Sequence, residues 1–213
     1  MPVLLYLVRH GETDWNLQHC IQGITDIALN GTGRVQAAAT GELLARRGWD
    51  AVISSPLSRA HETASIIARA LSKVQPDLPA PTTNDALVER NYGVAEGMTY
   101  QQIESRFPGD TFVDGQEARS AVVARVMPAL MEIAETHPGQ SVIVVSHGGV
   151  IRSVLNSIVP DGTHGMIRNG SIHSFSYTEG SLRLIAFDDP IELESESLAS
   201  DELDQQNAIE RVS

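Results

Sequence analysis

Apolar residues run without a break from Val3 to Val8 and stop at Arg9, His10 and Gly11. A short continuous run of this kind predicts a strand buried on both faces, as in a parallel sheet. From Asn30 the period changes. Val35, Ala39, Leu43 and Arg46 fall at helical spacing, with Asn30 or Thr32 as N-cap and Gly48 just past the end. The segment "WDAVISS" predicts a second short buried strand, closed by "PLSR". Ala60, Ala64, Ile67 and Leu71 then mark a second helix, followed by the proline-rich connector "QPDLPAP". Residues 84–117 are polar and rich in turn signals ("RNYG", "RFPGD", "VDGQ"), and only "TYQQIESRF" has a helical pattern there. Ala118 to Thr136 predicts a long helix, with Pro128 expected to kink it. "SVIVVSHGG" is the strongest strand signal in the chain, and "VIRSVLNSIV" follows as a helix. "HSFSYTEGSLRLIAF" predicts two strands around a turn at Glu179-Gly180.

Strands alternating with helices predict an α/β fold: a three-layer sandwich with a mostly parallel central sheet flanked by helices. Residues 84–117 are expected to form a small lid insertion over a site, within one domain spanning 1–187. Composition changes this picture at the C-terminal end. The 213-residue chain carries a net charge of −12, and residues 188–213 hold nine acids against Arg211, a net of −8. They are expected to form an acidic, disordered tail. The remaining body is close to charge balance, which leaves room for a local basic pocket. A strongly acidic chain argues against nucleic acid or an anionic membrane as partner. The lone Cys20 rules out an intramolecular disulfide and suits a reducing, cytoplasmic compartment. The six-residue apolar run at Val3–Val8 is too short for a signal-peptide core of about 7–15 residues. No stretch approaches the ~18 apolar residues of a membrane span. No feature of the sequence sets an oligomeric state.

In open α/β sheets, ligands bind beyond the carboxyl ends of the strands. The first predicted strand ends at Arg9-His10-Gly11, the second leads through "SSPLSR" to Arg59, and the third ends at Ser146-His147-Gly148-Gly149. Two arginines and two histidines are therefore expected at one sheet edge, where their common target is an anion. Phosphate fits: guanidinium forks match its oxygens and keep their charge. Gly148 and Gly149 let the backbone approach, and the following helix aims free N–H groups at the same place. Asn16 can add a neutral hydrogen bond. His61 is expected at the surface. No two histidines have HxxH or HxxxH spacing and Cys20 has no cysteine partner, so no metal site is expected. "GTGRVQ" lacks the third glycine of a dinucleotide fingerprint and follows no buried strand.

The ordered set "LVRHGETDWN", "QGITDIALNGTGRVQA", "ISSPLSRAHETA", "LVERNYGVAEGMT" and "VVSHGGVIR" resembles the histidine phosphatase superfamily, also called the phosphoglycerate mutase-like family. The resemblance implies roles by position. His10 resembles the nucleophile that takes the phosphoryl group on a ring nitrogen. Arg9, Arg59 and His147 resemble the phosphate clamp, supported by Asn16 and the backbone at Gly148. Glu89 resembles the general acid and base, and Gln22 and Gly23 fall where the family lines its substrate pocket. No cofactor and no metal are implied, and the partner implied is a small phosphorylated metabolite.

The family contains both phosphatases and mutases. The interval from Glu89 to His147 is short and holds no adjacent arginine pair, and "GVAEGMT" resembles the phosphatase branch. Tyr92, in "ERNYG", points the other way, because mutases place a substrate contact there. "VDGQEA" departs from the phosphatase pattern. The expectation is a phosphomonoester hydrolase, with a cofactor-dependent phosphoglycerate mutase as the alternative. A non-catalytic phosphate-binding protein is disfavoured because His10, Arg59, Glu89 and His147 are all present.

Overall fold

The computed structural model describes residues 2–109, 111–160, 162 and 165–191. Strand β1 (Val3–Arg9) leads through a single helical turn, α1 (Asp14–Leu17), to helix α2 (Gly31–Leu44). Then come β2 (Ala51–Ser54), α3 (Ser58–Leu71) and a two-residue edge strand, β3 (Thr82–Thr83). Two 3₁₀ turns (Asp85–Leu87 and Gly93–Ala95) and α4 (Tyr100–Arg106) precede α5 (Arg119–Thr136). The chain finishes with β4 (Ser141–Ser146), α6 (Gly148–Ile158), β5 (Ile172–Thr178) and β6 (Ser181–Ala186). The sheet order is β3-β2-β4-β1-β5-β6. Strands β1 to β4 are parallel, and β5 runs antiparallel to both β1 and β6. The expected three-layer α/β architecture is the one observed.

The alternation of side chains along β1 and β4 divides the core. Leu5, Leu7, Val142 and Val144 face one side, packed with Val122, Val126 and Leu130 of α5 and Val150 and Val154 of α6. Tyr6, Val8, Ile143 and Val145 face the other, packed with Leu44 of α2 and Ala60, Ala64, Ile67 and Leu71 of α3. Both faces are covered, which is why these strands read as continuous apolar runs. The β5–β6 hairpin turns at Glu179 and Gly180, both with positive φ (51° and 77°). That pair of angles matches the right-handed twist of the flanking strands.

Several expectations shift. Helix α2 is capped by Asn30, whose side chain accepts from Gly33 N, but it ends at Leu44 rather than near Gly48. The indole of buried Trp49 donates to the Leu44 carbonyl and closes the helix early. Helix α5 continues through Pro128 as one element. The lid does not begin at residue 84. Leu87 is fully buried in the core, and the Ser146 hydroxyl donates to its carbonyl. The domain also continues past residue 187. Asp189 is buried and accepts from the Ser174 hydroxyl, and Ile191 packs into the α2–α3 side of the core. The rest of the acidic tail, 192–213, lies outside the described residues.

Candidate active site

Strand register assembles the site. Arg9 of β1 lies opposite Ser146 of β4, and Ser54 of β2 lies opposite Val145. The residues just past the three strands are therefore His10, Ser55 and His147, side by side. His10 N donates to Ser146 O (3.0 Å), and Ser55 N donates to Val145 O (2.9 Å). The His10 and His147 rings stand edge to face, 5.1 Å apart. Both are almost completely buried, as is Arg59 on the first turn of α3.

Neighbouring polar groups orient each ring. His10 Nδ1 donates to its neighbour's carbonyl, Gly11 O (2.7 Å), which leaves a lone pair on Nε2. His147 Nε2 meets the Ser55 hydroxyl at 2.8 Å. With that hydroxyl donating to Nε2, the proton sits on His147 Nδ1, an atom that is buried and unpartnered. Burial, reinforced by the nearby Arg59 and Arg9 charges, holds the pKa of both imidazoles well below the usual histidine value.

The two arginines are held by carbonyls. Arg59 donates through NH1 to Thr25 O (2.9 Å) and through NH2 to Gly23 O (2.7 Å). Arg9 donates through NH1 to Ile167 O (2.7 Å). In both, Nε is buried without a partner. Desolvation pulls both guanidinium pKa values down, and the charge of Glu89 opposes it. Arg9 Nε, Arg59 Nε and, with the Ser55 hydroxyl donating to Nε2, His147 Nδ1 are thus three buried donors without an acceptor in the neighbourhood of His10. Unmade buried hydrogen bonds cost about 1–3 kcal/mol each, so a built pocket that leaves three of them signals an anionic ligand.

Glu89 lies across the site, 8% exposed. Its carboxylate accepts from Arg90 N (2.8 Å) and from Gly149 N (3.0 Å) at the start of α6. The second glycine of "HGG" is required here. A Cβ at Gly149 would come within 2.5 Å of Glu89 Oε1 and 3.0 Å of the Tyr92 hydroxyl. Burial and the Glu89 charge raise the Tyr92 pKa, so the phenol remains a donor at any working pH. Asn16 presents its amide N–H₂ by elimination. Its Oδ1 accepts from Thr13 N, Thr13 Oγ1 and Asn169 Nδ2, each at 3.2 Å.

A cavity of ≈ 520 Å³ adjoins the site through Arg9 and Gly149, whose N–H holds Glu89. Asn16, Tyr92 and Gly148 also line it, whereas His10, Arg59, Glu89 and His147 are buried and do not line it. Gln22 and Gly23, expected in the pocket wall, do not line this cavity. Gln22 is buried with an unpartnered Oε1, and Gly23 contributes its carbonyl to Arg59. His61 is exposed, as expected. No group of three or more His, Cys, Asp or Glu able to hold a metal ion occurs among the described residues. No helix among them is long and apolar enough to cross a membrane.

Sequence reasoning missed four groups. Ser55 fixes His147. Thr63 accepts from Gly11 N (3.1 Å) and donates to Arg59 O (2.7 Å), joining the ends of the first two strands. Asn169 donates to His10 O (3.0 Å) as well as to Asn16. Glu96 accepts from Ile24 N, Thr25 N and Tyr92 N (3.0, 2.9 and 3.1 Å), bracing the loop whose carbonyls hold Arg59. The only one with a signal was Glu96, as the acid of "GVAEGMT".

Among known protein families, residues 5–190 match the histidine phosphatase superfamily (branch 1). The chain belongs to this superfamily. Among curated relatives, it is 38% identical over 181 residues to the uncharacterized phosphatase PhoE of Bacillus subtilis, covering 84% of this chain and 90% of the relative. It is 34% identical over 176 residues to a 2,3-bisphosphoglycerate-dependent phosphoglycerate mutase of Methylobacterium sp., covering 76% of this chain and 82% of that protein. Among solved structures, a mycobacterial glucosyl-3-phosphoglycerate phosphatase complexed with VO3 superposes with a TM-score of 0.75 at 29% identity, covering 87% of this chain and 98% of that one. The protein is thus an enzyme of the histidine phosphatase superfamily, a phosphatase or a mutase.

Proposed function

We propose that the enzyme is a phosphomonoester hydrolase acting on a small phosphorylated metabolite through a phosphohistidine on His10. One observation carries this reading: a neutral imidazole with a free Nε2 lies among three buried, unpartnered donors, Arg9 Nε, Arg59 Nε and His147 Nδ1. The donors hold the phosphoryl oxygens while Nε2 attacks phosphorus. The bond from phosphorus to the ester oxygen breaks, and Glu89, acting as an acid, protonates that oxygen as it leaves. A water then attacks the phosphohistidine and gives its proton to the Glu89 carboxylate. The N–P bond breaks, and His10 returns to its neutral form with release of inorganic phosphate. The fixed cations stabilise the charge spread over the transferring group, so positioning and electrostatics supply most of the rate. No step calls on a metal. The lone Cys20 is consistent with a cytoplasmic setting.

The second reading, a cofactor-dependent mutase, is favoured by Tyr92 and by additional arginines in the cavity wall. A phosphate-release screen over a metabolite panel in the presence of EDTA, run beside an isomerase assay on 3-phosphoglycerate with and without 2,3-bisphosphoglycerate, separates the two. The hydrolase reading expects EDTA-resistant phosphate release and an acid-labile, base-stable phosphoenzyme that His10→Ala cannot form. Undiminished turnover by His10→Ala sinks the mechanism, and strong bisphosphate-dependent isomerisation sinks the preference for hydrolysis.

A further inference from the structure

A third histidine, His173, is as deeply buried as the two in the site. It lies on β5 opposite Leu7 of β1, and its ring is fully buried. Both ring nitrogens are used. Nδ1 accepts from Asp188 N (3.1 Å), a backbone group that can only donate, so Nδ1 carries no proton. The proton is on Nε2, which donates to the Ser171 hydroxyl (3.0 Å). That hydroxyl in turn donates to the Arg168 carbonyl (2.7 Å). The relay therefore has one direction, from Asp188 N through the imidazole and Ser171 to Arg168 O.

The relay ends on loop 167–171, and this loop carries one side of the phosphate clamp. Ile167 O accepts from Arg9 NH1 (2.7 Å). Asn169 Nδ2 donates to His10 O (3.0 Å) and to Asn16 Oδ1 (3.2 Å). The loop backbone also closes on Arg9 itself: Arg9 N donates to Ser171 O and Gly170 N donates to Arg9 O, both at 3.0 Å. At its other end the relay starts on a fixed segment. Asp189 N donates to Ile172 O (2.8 Å), the buried Asp189 carboxylate accepts from the Ser174 hydroxyl (2.6 Å), and the Phe187 ring lies 4.7 Å from the imidazole. The second tie between segment and loop is the ion pair Arg168–Asp188, whose arginine side chain is 71% exposed. Exposed pairs of that kind contribute little, so the buried imidazole carries the connection.

We propose that His173 is a positioning residue for the phosphate clamp, holding loop 167–171, and through it Arg9 and Asn16, against segment 187–189. This rests on the reading of Arg9 and Asn16 as phosphoryl ligands and adds a residue outside the cavity wall. Histidine suits the task because it accepts on one side of a rigid ring and donates on the other.

The test measures phosphate and vanadate affinity by calorimetry, without turnover, on variants shown to be folded by circular dichroism. Ser171→Ala and His173→Phe are each expected to weaken both ligands roughly tenfold. The double variant is expected to be little worse than either, because both cut one chain. His173→Gln, whose amide N–H₂ takes the place of Nε2, is expected to recover most of the affinity lost in His173→Phe. A packing role alone predicts the reverse, since Phe is the better apolar filler. In the wild-type enzyme, an NMR correlation of the ring nitrogens with their carbon-bound protons is expected to show His173 as the Nε2–H tautomer. An Nδ1–H tautomer overturns the proposal. So does wild-type affinity in folded Ser171→Ala and His173→Phe, or a Phe variant that binds as well as the Gln variant. A wild-type enzyme that binds neither phosphate nor vanadate refutes the phosphoryl reading, and the relay with it. Ser171→Ala removes a single oxygen, so it decides the matter even where His173→Phe does not fold.

Discussion

Replacing Glu96 with alanine is expected to damage the phosphate clamp from outside the cavity wall. Glu96 accepts three backbone N–H groups, from Ile24, Thr25 and Tyr92, and also bonds the Thr25 hydroxyl. Hydrogen bonds to a charged acceptor contribute roughly 1.5–3 kcal/mol each. The loop is partly exposed, so water recovers part of this, and a net loss of about 2–4 kcal/mol of stability is expected. The catalytic effect comes through Arg59, whose NH1 and NH2 are held by Thr25 O and Gly23 O at 2.9 and 2.7 Å. Freed from Glu96, those carbonyls shift, and a misplacement of about 1 Å at a catalytic group costs on the order of 10²-fold. The expected phenotype is a fall in kcat/KM of roughly 10–100-fold, with matching weakening of inhibition by phosphate and vanadate. Gly23→Ala should mimic it by the opposite push. At φ +59° its Cβ would lie 1.9 Å from Glu96 Oε1. Circular dichroism and a urea titration establish the folded fraction, and kinetics are then read where both variants are folded. A folded Glu96→Ala enzyme with wild-type kcat/KM and wild-type vanadate inhibition would refute the bracing role.

Three other outcomes follow from the geometry. Burial and the neighbouring arginines depress the pKa of His10 and His147 below 6.5, so the unfolded chain binds more protons in mild acid. Stability is then full above about pH 6.5 and falls below it, with a slope approaching about 2.7 kcal/mol per pH unit for two groups; a urea midpoint flat from pH 7.5 to 5 contradicts this. Arg125→Met removes the paired forks to Glu117 and the bonds to the Ala86, Val88 and Glu89 carbonyls. A loss of about 3–5 kcal/mol is expected with a lower kcat, and an unchanged Tm argues against it. Asn169→Ala unties His10 O and the Asn16 amide. Phosphate affinity should fall about tenfold, and the effect should be less than additive with Asn16→Ala; full additivity shows that Asn169 does not act through Asn16.

The parts of the site that were legible in the sequence are those set by short-range pattern. Apolar runs located β1, β2 and β4, and the polar residues at their ends named His10, Arg59 and His147. Parallel pairing then made the juxtaposition of those ends a consequence of topology. Glu89 was placed by family resemblance, since its own neighbourhood has no period. The contacts that brace the site have no such signature. Asn169 reaches residues 153 and 159 positions away, and Glu96 reaches residues 71 and 72 positions away. The arginines of the cavity wall have no such signature for a related reason: no two of them are adjacent along the chain, and the fold draws Arg90, Arg119 and Arg152 from three elements onto one cavity. The tail boundary was misplaced because charge dominates residues 188–191, yet Ser174 accommodates the buried Asp189 and the core accommodates Ile191.

Among the described residues neither Arg9 nor Arg59 has a carboxylate ion-pair partner, which would suit the proposed clamp to a dianion. Arg9 and Arg59 are oriented by backbone carbonyls of Ile167, Gly23 and Thr25. A carboxylate in those positions would fix the guanidinium planes equally well but would cancel their charge, leaving a neutral pair with little attraction for phosphate. Carbonyls supply geometry through partial charge alone. Glu89 accepts from Arg90 N and Gly149 N, so it too is held by backbone, and among the described residues no ion pair joins it to either arginine. The cost of this design is the desolvation of two unpaired cations, seen as the depressed pKa of both arginines. In the proposed mechanism a bound phosphoryl group would relieve that cost, and most of all in the transition state, when charge would spread over oxygens facing Arg9 Nε, Arg59 Nε and His147 Nδ1 and the barrier would fall.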